Sequence, residues 1–203
     1  LGEIHARPYV LIQPERVILQ FAFLREGDGD GDHALVSDLS RARGTAAPAQ
    51  GASLHQMRWG AGTLRWERHT EFSTYLWEGP AAEEFGAPLH GHPFGSGFAP
   101  PGPLISAIRL EVRSDETALQ AALKQFDLTS LCRSSVKDGQ AEIATDFQQD
   151  GDGLTRMLLI DRGLTTAAVS ALAQRLLDIE TYRTLAMLGR PLAQSLSSEV
   201  RSI

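Results

Sequence analysis

At 203 residues, with 42% hydrophobic and 22% charged side chains, the chain can bury a core as one domain or as two fused halves. A formal net charge of -6 and the lack of any basic run exclude a general nucleic-acid surface. The single cysteine, Cys132, excludes an internal disulfide framework and a thiolate zinc cage, and no apolar run reaches the roughly 20 residues that span a bilayer.

Leu1–Gln13 has no clear period and reads as an arm, in which Arg7, standing before Pro8, is biased towards extended backbone. The chain opens without Met and closes inside a helical pattern, as a piece of something longer would. Arg16–Leu24 is a short apolar strand, followed by the acidic run Gly27–Asp32. A helix is expected over Asp32–Arg43, where Ala34, Leu35, Leu39 and Ala42 make an apolar stripe. Gly44–Ser53 is a loop. Leu54–Trp59 then enters a hairpin through Gly60-Ala61-Gly62.

The returning strand, Leu64–Trp77, is the most unusual stretch. Strict alternation places Leu64, Trp66, Arg68, Thr70, Phe72, Thr74 and Leu76 on one side. The other side carries Arg65, Glu67, His69, Glu71, Ser73, Tyr75 and Trp77. No Gly or Pro interrupts it, so one uninterrupted strand is expected, with an acid, an imidazole and a second acid in line. Arg68 falls on the apolar side. It needs a carboxylate, several carbonyls, or an escape along Trp66 to the sheet edge.

Gly79–Pro103 holds six of the ten prolines and six of the nineteen glycines, and marks a boundary between halves. Beyond it, Leu104–Val112 is a strand and Glu116–Phe126 a helix. Ser130–Val136 and Gln140–Gln148 form a hairpin over Asp138-Gly139, Leu154–Asp161 is a further strand, and Thr165–Leu188 is a long helix. Gly189-Arg190-Pro191 is expected to kink or break that helix. Leu192, Leu196, Val200 and Ile203 then recur on one side of a tail expected to project and self-associate.

The order of elements indicates an α+β fold of tandem βαββ units, with antiparallel sheet, helices on one face and a long C-terminal helix. The divisions are 1–78 for the first half with its arm, 79–103 for a Gly/Pro-rich linker, 104–163 for the second half with an extra strand, and 164–203 for the C-terminal helical segment.

Most chemical motifs fail on spacing. A calcium loop from Asp28 would need Gly and Glu where His33 and Leu39 stand. Gly29-Asp-Gly31-Asp-His-Ala34 has a dinucleotide-binding spacing, but its aspartates would repel a pyrophosphate. His90 and His92 lie in a Gly/Pro loop with only Glu83 and Glu84 nearby, and Gly95-Ser96-Gly97 lacks a nucleophile elbow. No cofactor and no metal site is expected. The ligand-binding candidates are His5, Arg7, Glu67, Arg68, His69 and Glu71, with Arg7 or His5 expected within hydrogen-bonding reach of the Leu64–Trp77 strand.

Glu3-Ile-His5-Ala-Arg7-Pro8 and Leu64-Arg-Trp66-Glu67-Arg68-His69-Thr70-Glu71-Phe72 resemble the two signatures of a bacterial family of predicted membrane-anchored proteins of unknown function. The resemblance continues through Val136–Phe147, Leu154-Thr155-Arg156 and Ile179-Glu180-Thr181-Tyr182-Arg183. It implies membrane-spanning segments C-terminal to this chain, and it brings no activity. Two readings stand. One is a non-catalytic ligand-sensing or protein-interaction module, cytoplasmic and tethered to a membrane, which forms a homo-oligomer through its C-terminal helix. The other is a metal-assisted hydrolase using His5, Glu67, His69 and Glu71.

Overall fold

The centre of the molecule is a strand whose sequence leaves no face for solvent. In β1 (Arg16–Leu24), Val17, Ile18 and Leu19 follow one another and all are buried, because strands pair along both edges and side chains cover both faces. The computed structural model describes residues 11–25 and 31–200, the side chains of 190–200 excepted. The chain continues through α1 (Gly31–Ala42), β2 (Leu54–Trp59), β3 (Gly62–Arg68), β4 (Phe72–Pro80) and β5 (Leu104–Arg113). It ends through α2 (Glu116–Leu123), β6 (Cys132–Val136), β7 (Ala141–Gln149), β8 (Thr155–Asp161) and α3 (Thr166–Val200).

These strands form one sheet in the order β2-β3-β4-β1-β5-β8-β7-β6. On one face, Val36 of α1 packs with Val17, Leu19 and Trp66, and Leu119 of α2 packs with Leu158 and Ile160. On the other, Val169, Ala173 and Leu177 of α3 pack against Ile18, Ile108 and Leu110. Thr181 ties α3 to both central strands: it accepts from Gln20 Nε2 at 3.1 Å and lies 3.2 Å from Ser106 Oγ. At the β2–β3 turn, the Trp77 indole lies so close to Gly62 and Gly79 that a Cβ at either would overlap it, while its Nε1–H donates to Trp59 O at 3.2 Å.

Several expectations are corrected. Leu64–Trp77 is two strands, β3 and β4, joined by a tight tip. His69 N donates to Phe72 O at 2.9 Å, and Arg25 Nη1 donates to the carbonyls of His69 and Thr70 at 3.2 and 3.0 Å. Residues opposite one another across an antiparallel pair point the same way, so the reversal exchanges parity. Trp66 faces the side of Tyr75, and Leu64 the side of Trp77.

The first half therefore holds four strands where three were expected, and with β8 as the further strand of the second half both run in the order βαβββ. The halves repeat in spatial order but not in direction, since β4 runs antiparallel to β1 while β8 runs parallel to β5. That pair makes the sheet mixed. The helices divide between faces, with α1 and α2 opposite α3. The backbone of α3 stays helical through Gly189, Arg190 and Pro191, so of the kink or break expected there no break occurs.

Between β4 and β5, residues 81–103 run over the sheet. Leu89, Phe94 and Phe98 lie on its aromatic core, and Phe85 joins the α2 cluster. Three buried charges on β5 hold this segment. Glu111, wholly buried, accepts from Arg109 Nε at 2.9 Å, Arg113 Nε at 3.0 Å and Gly86 N at 2.9 Å. Arg109 also donates to Gly86 O and Ala87 O at 3.3 and 2.7 Å, and Arg113 to Ala82 O at 2.7 Å. Glu111→Ala leaves two buried guanidinium groups without their shared acid, an expected loss of about 3–5 kcal/mol in chemical denaturation. The same change should open residues 81–103 to limited proteolysis. A loss below about 1 kcal/mol would show that the ladder is not what holds the segment.

Candidate functional site

His5 and Arg7 lie outside the described residues, so their expected approach to the strand does too. The other four candidates share the β3–β4 hairpin without forming a row. Glu67 lies on the α3 face and pairs with Arg65. Arg68 turns the opposite way, and its guanidinium donates to Gly51 O at 3.3 Å, the escape to a carbonyl at the strand end. His69 stacks on Phe72 with ring centres 4.4 Å apart, and Phe72 meets Tyr182 of α3 edge-on. Glu71 is exposed at the hairpin tip.

At the seam between β3 and α3, Asp178 faces Glu67. Burial pushes the Asp178 carboxyl up, Gln174 Nε2 opposes this by donating to it at 2.8 Å, and the Glu67 charge pushes it further up. Arg65, Glu67 and Asp178 thus place one cation beside two carboxylates.

Other polar groups are structural partners. Asp32, in the first turn of α1, accepts from Ser73 Oγ at 2.7 Å and Tyr75 Oη at 2.9 Å. Burial, and then that neighbouring charge, hold the Tyr75 hydroxyl far above its ordinary range. Ser40 Oγ lies 3.2 Å from His55 Nε2, a nucleophile–base separation, yet Ser40 is wholly buried and donates to Val36 O. His92 packs beside Trp77 and accepts from Phe94 N at 3.2 Å, and burial lowers its pKa. Among the described residues, no three His, Cys, Asp or Glu side chains gather to hold a metal ion. Cys132 is exposed on the edge strand β6.

What the sequence concealed is apolar. β1 ends, and β2, β5 and β8 begin, at one end of the sheet, where the β3–β4 tip also lies. Leu24, Leu54 and Leu104 are exposed there. Buried Asp146 adds two more: it accepts from Asp127 N, fixing the loop that carries Leu128, and from Gln148 N, bending β7 so that Phe147 adopts φ 55. Leu128 is 73% exposed. Arg183 of α3 lies 5.0 Å over Phe147. Tyr182, Met187 and Leu188 complete the set as α3 leaves the sheet. Arg68, His69 and Glu71 stand on the rim of this end. No signal in the sequence marks these leucines, because each belongs to a different element.

Because Asp178 is raised, the folded chain keeps its proton to higher pH than the unfolded chain does. This group's contribution is complete below the ordinary value of 3.8 and is lost as pH rises through the folded value. Asp178→Asn is therefore expected to raise the thermal midpoint by about 1–3 °C at neutral pH, with the gain shrinking towards pH 4. An equal gain at both, or none at neutral pH, contradicts the assignment.

No helix among the described residues is long and apolar enough to cross a membrane. No curated protein and no solved structure is similar enough to match the chain. A family match does exist and spans the whole sequence: the chain belongs to the family described as Protein of unknown function (DUF3422), matched over residues 1–203.

Proposed function

We propose that the chain is a protein-interaction module that docks through the apolar end of its sheet, the ligand-sensing role falling to the polar rim of Arg68, His69 and Glu71. One observation carries the reading. Among the described residues, eight of the ten exposed large hydrophobic side chains gather at that end, only Leu11 and Ile179 lying elsewhere. Scattered exposed leucines are ordinary, whereas a set collected from six separate segments onto one surface is what an interface requires. The charged rim around it supplies orientation, as polar rims do around apolar interface centres. Within this reading the domain stands at the cytoplasmic face of a membrane, tethered by segments C-terminal to α3, as the resemblance implies.

A photo-crosslinking side chain in place of Leu104 or Leu128, introduced into the protein in its own cells, tests it. A discrete adduct is expected from both positions and none from Ser134 on the exposed strand β6. Equal yield from Ser134, or no adduct from either end position, would sink the reading.

A further inference from the structure

We infer that the apolar end is covered by a second copy of this chain, each copy laying the projecting part of α3 across the end of the other. This rests on the docking reading above and names its partner. At 1.5 Å per residue the 35 residues of α3 span about 52 Å, whereas the ten residues of β5 span about 33 Å. Among the described side chains, the last of α3 packed on the sheet is Leu185, against Ala22, Phe72 and Ile105. Residues 186–200 continue as helix beyond it, about 22 Å of rod leaving from the apolar end.

A helix this short is marginal in water without something to pack against. Its sequence keeps Leu188, Leu192, Leu196 and Val200 at four-residue steps. The chain cannot supply the cover by folding this helix back. A return onto its own end would need a break near 189–191, and the backbone is helical throughout. A second copy meets the same requirement without a break.

Charge does not oppose the match. From 186 to 200 the helix carries only Arg190 and Glu199, one of each sign, and the sheet end likewise carries both signs, Glu71, Asp127 and Asp152 beside Arg68 and Lys124. Rod and receiving end belong to the same chain, so a two-fold axis satisfies both at once and closes the assembly at two.

Sedimentation velocity of the chain and two variants tests the exchange. The wild type is expected to be dimeric at about 100 µM. A helix variant, Leu192→Glu with Leu196→Glu, and an end variant, Leu104→Glu with Leu128→Glu, should each be monomeric with unchanged circular dichroism. Leu128→Glu alone, in an exposed loop, is the second end variant should the pair fail to fold. Mixed one to one, helix and end variants retain one intact contact, and dimer mass should return at a higher concentration than the wild type needs. A dimer that survives the end variant, or a mixture that stays monomeric, overturns the exchange. A monomeric wild type overturns the second copy as partner while leaving the docking reading standing, since the cellular adducts would then differ in mass from two chains.

Discussion

The carboxylate of Glu111 is the constraint on which the rest of the molecule depends. It is wholly buried in the middle of the sheet and is held between Arg109 and Arg113, two residues away on either side. A buried charge of this kind is tolerable only when its lone pairs and donors are used, and here the backbone of residues 82–87 and the Glu15 carboxylate, which accepts from Arg113 Nη1 at 3.2 Å, share the remaining bonds. The ladder thereby decides where a segment with five prolines must run. That segment in turn puts Phe94 and Phe98 over Phe21, Phe23 and Tyr75. A polar network at the centre thus keeps an apolar surface dry beside it.

The same logic recurs at smaller scale. Asp32 fixes the start of α1 to β4 through Ser73 and Tyr75, and Asp146 fixes the loop after α2 to a bend in β7. In each case one buried carboxylate joins segments far apart in sequence, and the shape of the exposed surface follows. Phe147 and Leu128 are exposed because Asp146 is satisfied.

Most elements were legible from periodicity alone. β1 and β2 have the bounds read from the sequence, whereas α1 buries Asp32, Val36 and Ser40 and leaves Ala34 and Ala42 of the expected stripe exposed, with Leu35 and Leu39 half-buried. The hairpin tip at residues 69–71 was hidden because no Gly or Pro marks it, the turn being held by Arg25 from another strand. The alternation of Ile108-Arg-Leu-Glu-Val-Arg113 signals a strand with one wet face. Only the covering segment, from some twenty-five residues earlier, makes that face buried. The parallel pairing of β5 with β8 follows from how α2, β6 and β7 are threaded between them, and local pattern does not record threading. Of the site, the polar rim was visible as charge in an apolar setting. The leucines inside it were invisible for the opposite reason: each is an ordinary residue until the fold brings them together.

The placement of α3 imposes an order on biosynthesis. Ile18, Ile108, Leu110, Met157 and Leu159 all face α3, which is the last element of the described chain to leave the ribosome. Until it does, a nascent chain holding the other ten elements presents a bare apolar sheet face to the cytosol or to whatever holds it, and β5 cannot gain its parallel neighbour before residue 155 has been made. The sheet is thus completed late and roofed last. A cell making this protein must protect that face for the time taken to synthesise one long helix.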